Sequence, residues 1–191
     1  MTIPVTHYAD VRVTGDGVPQ IVGTLIGRLH GFMESKGVKL GVAFPKYKAG
    51  ERPKIGEVIR LFGDRDVLDA LLDDWEGDER ERWMCGRVKE TPECERWALY
   101  QRVALPSRFH GVKRARFPDY AKERAMKKRE KALEDLKELP FFFVRSQSGN
   151  THFPFTVEKR IVKDASAETV QGKVNAYGFS TKSPFVPLPE F

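Results

Sequence analysis

The strongest constraint on the fold is the order in which helix and strand patterns alternate over the first hundred residues. Apolar residues recur at helical spacing in Pro19–Lys36 and Asp66–Trp75, so both segments are predicted to be amphipathic helices. Four short apolar or alternating segments around them are predicted to be strands: His7–Val13, Val38–Phe44, Val58–Phe62, and either Arg82–Val88 or Trp97–Val103. The resulting order, β-α-β-β-α-β, is that of a ferredoxin-like unit.

The pattern changes after Pro106. The next residues are basic and irregular, and a single long charged helix is predicted at residues 119–138. The strands predicted after this helix are Phe141–Gln147, His152–Lys159, one near Thr169–Tyr177, and Phe185–Pro187. We therefore expect an α+β protein with a ferredoxin-like domain at residues 1–104. A smaller α+β half at residues 105–191 would carry the basic helix.

The charge balance favours a polyanionic partner. The chain of 191 residues has a net charge of +6, and Lys and Arg outnumber Asp and Glu between Arg108 and Lys137. Five cations of the predicted helix lie mostly on overlapping faces: Lys122, Arg124, Lys127, Lys128 and Lys131. Such a helix is either solvated, with Glu–Lys pairs along its surface, or lies along an RNA groove and contacts phosphates.

Several classes of protein have no support in the sequence. No apolar run is long enough to cross a bilayer, and the first residues lack the pattern of a secretory signal, so we expect a cytoplasmic protein. Cys85 and Cys94 have neither the number nor the spacing of a disulfide framework or a zinc knuckle. Because no metal-ligand pattern and no phosphate-binding glycine loop is present, neither a metal nor a cofactor is predicted.

A polar segment follows the most apolar strand. LPFFFV leads directly into RSQSGNTHF at residues 145–153. On a continuing strand, Ser146 and Ser148 would lie on one face and Gln147 on the other. The serines could satisfy the polar groups of an edge strand, or their hydroxyls could bind a phosphate or a ribose. Phe153, after the Gly-Asn turn, could be a core residue or a platform on which a base stacks.

One histidine lies on a predicted helix, close to its apolar face. His30 follows Leu29 near the end of Pro19–Lys36, one position off the apolar stripe. It could be an ordinary helix residue, either exposed or partly packed. It could also be a general base, because imidazole titrates near working pH.

These segments together resemble one family. The sequence resembles the type I-F CRISPR-associated endoribonucleases that process repeat RNA. The resemblance runs the length of the chain and rests on six segments: HYADVRV, GRLHGFM around His30, LGVAFP at 40–45, PDYAKERAMKKR at 118–129, LPFFFVRSQSGNTHF at 139–153 and AYGFSTKSPFVP at 176–187.

The resemblance implies a metal-independent cut at the base of a repeat hairpin. In that reaction the 2′-hydroxyl of the RNA attacks the adjacent phosphate, which leaves a 2′,3′-cyclic phosphate and a 5′-hydroxyl. His30 would be the base or proton shuttle, Ser146 would hold the ribose, and Tyr177 would orient the histidine. Gln147 and Ser148 would contact the phosphate or nearby bases.

The resemblance also implies an RNA-binding surface. Phe153 would stack under the terminal base pair of the hairpin, and either Arg102 or Arg108 would read bases. The other RNA-binding residues come from the basic linker and the basic helix: Lys113, Arg114, Arg116, Arg124, Lys127, Lys128 and Lys131. Lys127 and Lys128 stand where the family has arginines. Because lysine lacks the guanidinium fork that reads guanine, we expect this helix to contact the RNA backbone more than the bases.

The partners that follow are the CRISPR repeat hairpin RNA and the other subunits of the type I-F interference complex, in which the enzyme would stay bound to the mature crRNA. No membrane partner is expected. Two other hypotheses stay open: a catalytically weak hairpin-binding subunit of the same complex, and a general basic nucleic-acid-binding module. His152 is either an RNA contact or a plain strand residue.

Overall fold

Two antiparallel sheets and three helices make up the structure, a computed structural model that describes residues 3–76, 82–104, 119–145, 151–163 and 172–191. The elements, in chain order, are β1 (His7–Val13), α1 (Val18–Lys36), β2 (Gly41–Ala43), β3 (Val58–Gly63), α2 (Arg65–Trp75), β4 (Trp83–Cys85), β5 (Lys89–Glu90), β6 (Trp97–Val103), α3 (Asp119–Lys137), β7 (Phe141–Arg145), β8 (His152–Val162) and β9 (Leu188–Pro189).

The first sheet has the strand order β2-β3-β1-β4, and β5 also pairs with β1. Ala9, Val11 and Val13 alternate along β1 and are all buried, and both α1 and α2 contact this strand. Because alternate side chains of a strand point to the same face, these three residues lie on one face of the sheet, which the two helices cover. This arrangement confirms the predicted α+β, ferredoxin-like fold, and β4 lies within the first of the two alternatives for its fourth strand.

The second sheet has the strand order β7-β8-β6-β9. Its centre is the long pairing of β6 with β8, which runs from Trp97 opposite Val162 to Val103 opposite Thr156. The alternation in β6 predicted a strand correctly but could not tell which sheet it would join. Although β6 precedes residue 104, it belongs to the second sheet, and the division of the chain into domains at that residue stays a prediction.

Helix α1 lies against both sheets, because it contacts β1 of the first and β7 of the second. The N–H of Val157 donates to the carbonyl of Pro140. In this register the even-numbered residues of β7 form the hydrogen bonds to β8. The N–H and carbonyl of Phe143 therefore point the other way, toward the edge of β7 that no described strand covers. A Cβ on Gly23 of α1 would lie 1.7 Å from the carbonyl oxygen of Phe143. The missing side chain therefore lets α1 approach and cover that edge.

The C-terminal segment differs from its prediction. A strand near Thr169–Tyr177 was expected, but in its described part the chain makes a tight turn at residues 175–178, here called the C-terminal turn. Gly178 has a φ of 83°, a left-handed conformation that ends an extended segment and that glycine adopts readily. The expected strand at Phe185–Pro187 is also displaced, because the pairing with β6 occurs at β9 instead.

Candidate active site

The C-terminal turn connects the two sheets. Within it, the N–H of Gly178 donates to the carbonyl of Asn175 over 3.1 Å. The carbonyl of Gly178 accepts a 3.0 Å hydrogen bond from Val42 of β2. Just beyond the turn, the N–H of Ser180 donates to the carbonyl of Tyr100 in β6 over 2.9 Å. The turn is therefore held by backbone bonds to the first sheet on one side and to the second on the other.

His30 points from α1 into this turn. Its side chain is 14% exposed, and its Nδ1 lies 2.9 Å from the carbonyl oxygen of Ala176. Since a carbonyl oxygen can only accept, Nδ1 carries the proton and donates it. The neutral ring therefore keeps its lone pair on Nε2, which is the arrangement a general base needs.

Glu34 marks the direction in which Nε2 points. Its Oε1 lies 3.6 Å from Nε2 of His30, one helical turn further along α1. This separation is longer than a hydrogen bond, and the Glu34 side chain is 57% exposed, so the pair contributes little to stability. Nε2 therefore faces the exposed side of the helix, where a substrate can approach it.

Tyr177 packs between the histidine and the aromatic core. The centroid of its ring lies 4.5 Å from that of His30 and 5.3 Å from that of Phe155. Phe155 is fully buried and stacks on Phe142 with a centroid distance of 5.0 Å. The contact with Tyr177 restrains the imidazole, and the contact with Phe155 restrains Tyr177 in turn, each at about 0.5–1.5 kcal/mol beyond area burial. The structure thus brings together two of the three predicted catalytic residues.

Two predicted RNA-binding residues lie on the same aromatic group. The guanidinium of Arg102 in β6 is 4.8 Å from the ring centroid of Phe155 and 5.3 Å from that of Phe153. Arg102 is exposed and Phe153 is half-buried. Stacking on a ring presents the planar guanidinium to solvent with its donors free to turn toward a ligand. Phe155 is thus the link between this pair and the ring of Tyr177.

Four cations of α3 that were predicted to bind RNA are exposed: Arg124, Lys127, Lys128 and Lys131. The Nζ of Lys127 lies 2.9 Å from Glu123 Oε1, and both side chains are more than two-thirds exposed. An ion pair so exposed is worth about 0–1 kcal/mol, so a phosphate can replace the carboxylate at little cost. No contact within the described part of the chain joins these cations to His30 or Tyr177.

Seven predicted site residues lie outside the described part of the chain: Ser146, Gln147, Ser148, Arg108, Lys113, Arg114 and Arg116. The strands on either side of residues 146–148 are described. Arg145, the last residue of β7, pairs with His152, the first of β8, and the next pair joins Val144 to Phe153. Residues 146–148, here called the serine segment, therefore follow β7 directly at the end where its partner strand carries Phe153.

Other kinds of site find little support in the described ranges. These residues contain no group of three or more His, Cys, Asp or Glu side chains that could hold a metal ion. None of the described helices is both long and apolar enough to span a membrane. Within the described residues, Cys85 and Cys94 form no disulfide bond, and both are partly exposed.

The chain matches a known protein family over most of its length. The profile of a family described as CRISPR-associated protein (Cas_Csy4) matches residues 8–191. The chain belongs to this family. It is also 29% identical over 188 residues to the CRISPR-associated endonuclease Cas6/Csy4 of Pseudomonas aeruginosa (strain UCBPP-PA14), an alignment that covers 95% of this chain and 98% of the relative. The resemblance drawn from the sequence segments is thereby confirmed.

Two residues of the site in this Csy4-family chain were missed by the sequence prediction. Asn175 begins the C-terminal turn, and Phe155 supports the ring of Tyr177. The signal for the turn was present, because Asn at the first position and Gly at the fourth, Gly178, are typical of a type I turn. No local pattern identifies Phe155, because the ring that it supports belongs to Tyr177, which lies outside its own strand.

Proposed function

We propose that this chain is an endoribonuclease that cleaves CRISPR repeat RNA at the base of its hairpin without a metal ion. The observation that carries the proposal is the hydrogen bond between Nδ1 of His30 and the carbonyl of Ala176. It leaves Nε2 available as a base in a chain that matches the Cas_Csy4 family over residues 8–191. The relative from Pseudomonas aeruginosa is named an endonuclease, which agrees with a cleaving role.

The proposed reaction uses a nucleophile that belongs to the RNA. Nε2 of His30 accepts the proton of a 2′-hydroxyl, and the 2′-oxygen bonds to the adjacent phosphorus while the bond from phosphorus to the 5′-oxygen breaks. The leaving 5′-oxygen takes up a proton, either from the imidazolium of His30 acting as a shuttle or from water, so the products are a 2′,3′-cyclic phosphate and a 5′-hydroxyl. A positioned base accelerates such a step by about 10²–10⁴-fold, and the remaining acceleration has to come from holding the ribose and phosphate in line.

The serine segment is proposed to supply that positioning. Ser146 would hold the ribose, and Gln147 and Ser148 would contact the phosphate or the neighbouring bases. The pairing of Arg145 with His152 supports this role, because the segment then begins at the hairpin end that carries Phe153. Hydroxyl and amide groups suit these contacts, since each offers both a donor and an acceptor.

A separate surface is proposed to hold the hairpin. Phe153 would stack under the terminal base pair, and Arg102, which rests on the rings of Phe153 and Phe155, would contact a base edge or a phosphate. The exposed cations of α3 would bind the RNA backbone. These contacts involve the part of the RNA that remains after the cut, so the protein would stay on the mature crRNA as a subunit of the type I-F interference complex.

A single assay separates this function from its alternatives. The protein is incubated with a repeat hairpin RNA in EDTA, with an unrelated RNA duplex as a parallel binding target, and both cleavage and affinity are measured. Cleavage at the base of the stem is expected. Binding without cleavage would favour a catalytically weak hairpin-binding subunit, and equal affinity for the unrelated duplex would favour a general nucleic-acid-binding module. Cleavage only after addition of a divalent metal would refute the metal-independent mechanism.

A further inference from the structure

We propose that Asn175 is a positioning residue for His30, acting through the peptide unit between Ala176 and Tyr177. The consequence for cleavage rests on the proposed function, but the effect on the imidazole does not. Asn175 touches no reacting atom in this account. It fixes the backbone group that determines which ring nitrogen of His30 carries the proton.

The side chain of Asn175 organises the C-terminal turn from its first position. Its Oδ1 accepts a 2.8 Å hydrogen bond from the N–H of Tyr177 and a 3.2 Å hydrogen bond from the N–H of Phe179. The backbone of Asn175 is bonded as well, because its N–H donates to the carbonyl of Phe179 over 2.8 Å. The turn therefore depends on one side-chain oxygen for two of its backbone donors, which is the Asx-type capping that favours asparagine in turns.

One of those donors belongs to the same planar unit as the acceptor of His30. The N–H of Tyr177 and the carbonyl of Ala176 are the two ends of a single peptide group, whose six atoms lie in one plane. Oδ1 of Asn175 holds the N–H end, and Nδ1 of His30 bonds to the carbonyl end over 2.9 Å. Rotation of this plane would break both bonds together, so Asn175 determines where the carbonyl points.

The orientation of that carbonyl has a chemical consequence. With the oxygen of Ala176 in place, the proton of the neutral imidazole is held on Nδ1 and the lone pair on Nε2. If the peptide plane rotates, the ring loses the acceptor that selects this tautomer, and Nε2 is protonated in a larger fraction of molecules. Asn175 is therefore expected to influence the tautomer and the orientation of His30 without contacting it.

The other end of the turn also has an attachment to the first sheet that does not involve the Asn175 side chain. A Cβ on Gly178 would lie 2.5 Å from Cγ2 of Val42, and the carbonyl of Gly178 bonds to the N–H of that residue. The backbone hydrogen bond and the close packing against Val42 therefore hold this end against β2. Loss of the Asn175 side chain should loosen the Ala176–Tyr177 peptide while the attachment of the segment to the first sheet persists.

The test uses three variants of the full chain. Asn175→Ala removes the acceptor, Asn175→Asp keeps an acceptor oxygen and adds a negative charge, and Thr181→Ala is the control. Thr181 lies in the same segment and donates its own side-chain hydrogen bond to the carbonyl of Pro184, outside the turn. The first measurement is the ¹⁵N chemical shifts of the His30 ring in the free protein, which report the tautomer without any RNA.

We expect Nδ1–H to predominate in the wild type, in Asn175→Asp and in Thr181→Ala, and to give way to a mixture in Asn175→Ala. The second measurement is single-turnover cleavage of a repeat hairpin at several pH values, with affinity for a 2′-deoxy hairpin measured alongside. Asn175→Ala should cleave about 10- to 100-fold more slowly, as for other orienting partners, with affinity within about threefold of wild type. Asn175→Asp keeps the acceptor for the N–H of Tyr177, so its cleavage constant should stay within about threefold of that of the wild type.

The outcomes distinguish the two proposals. An unchanged His30 tautomer in folded Asn175→Ala would overturn the role of Asn175, whether or not the protein cleaves RNA. If the wild type binds but does not cleave the hairpin, the proposed function fails, while the ring shifts still test the effect on His30. Should Asn175→Ala fail to fold, Asn175→Asp decides alone, because it keeps the acceptor oxygen, and a mixture of His30 tautomers in this variant would refute the proposal.

Discussion

The rings of His30 and Tyr177 lie with their centroids 4.5 Å apart and their planes tilted by 39°. This contact brings a residue of the first helix against one near the C-terminus. Together with the hydrogen bond from His30 to Ala176, it restrains the imidazole on two sides and leaves Nε2 directed outward.

Replacement of His30 should separate cleavage from binding. His30→Ala removes the proposed base, so the single-turnover cleavage constant should fall by about 10²–10⁴-fold, whereas affinity for the hairpin should change little. His7→Ala is a matched control, because His7 lies on β1 and bonds to Thr6 rather than to the site. Cleavage by His30→Ala at the control rate would remove this residue from its proposed role.

The ring of Tyr177 should matter more than its hydroxyl. Tyr177→Phe keeps the contacts with His30 and Phe155, so its cleavage constant should stay within about threefold of wild type. Tyr177→Ala removes both ring contacts and should lower the constant by about tenfold, the equivalent of about 1.4 kcal/mol. If Tyr177→Phe were as slow as Tyr177→Ala, the hydroxyl would have a chemical role that this geometry does not assign.

Two glycines of α1 should respond in opposite directions to the same substitution. Gly23→Ala places a Cβ against the backbone of Phe143, so helix and strand must separate, and the free energy of unfolding should fall by about 1–3 kcal/mol. Gly27→Ala meets no atom within 4 Å and should raise it by about 0.5–1 kcal/mol through helix propensity. Urea unfolding measures both. A stable Gly23→Ala would show that α1 does not approach the β7 edge so closely.

The cations of α3 should determine part of the salt dependence of RNA binding. If Lys127 and Lys128 contact phosphates, the double variant to Gln should flatten the slope of log affinity against log salt by about 0.7–0.9 for each lost contact. Lys89→Gln, on the edge strand β5 of the first sheet, is the control and should leave the slope unchanged. An equal slope in the double variant and the wild type would indicate that α3 faces away from the RNA.

How much of this could be predicted depends on the distance over which each signal acts. The apolar spacing of α1 predicts both the helix and the position of His30 beside its buried face, because periodicity is a local property. The choice between Arg82–Val88 and Trp97–Val103 for the fourth strand could not be made locally, since either segment can form a strand and only pairing with β1 or β8 decides.

At the C-terminal turn, the prediction from local sequence was wrong. The segment that ends at Tyr177 was predicted to be a strand, yet Asn175 and Gly178 form a turn that backbone bonds hold to Val42. The partner of this turn, His30, is separated from it by almost the whole chain. Local propensity favoured an extended segment, and the tertiary contact prevailed. The positions of Ser146, Gln147 and Ser148 remain predictions from the family resemblance.

The most direct test of the account concerns the nucleophile. Two repeat hairpin RNAs are prepared that differ only by a 2′-deoxy substitution at the nucleotide before the cut, and each is incubated with the protein in EDTA under single-turnover conditions. We expect the ribose RNA to be cleaved to a 2′,3′-cyclic phosphate and a 5′-hydroxyl. The deoxy RNA should bind with similar affinity and stay intact. Cleavage of the deoxy RNA at the same position, or products with a 3′-hydroxyl and a 5′-phosphate, would contradict the account.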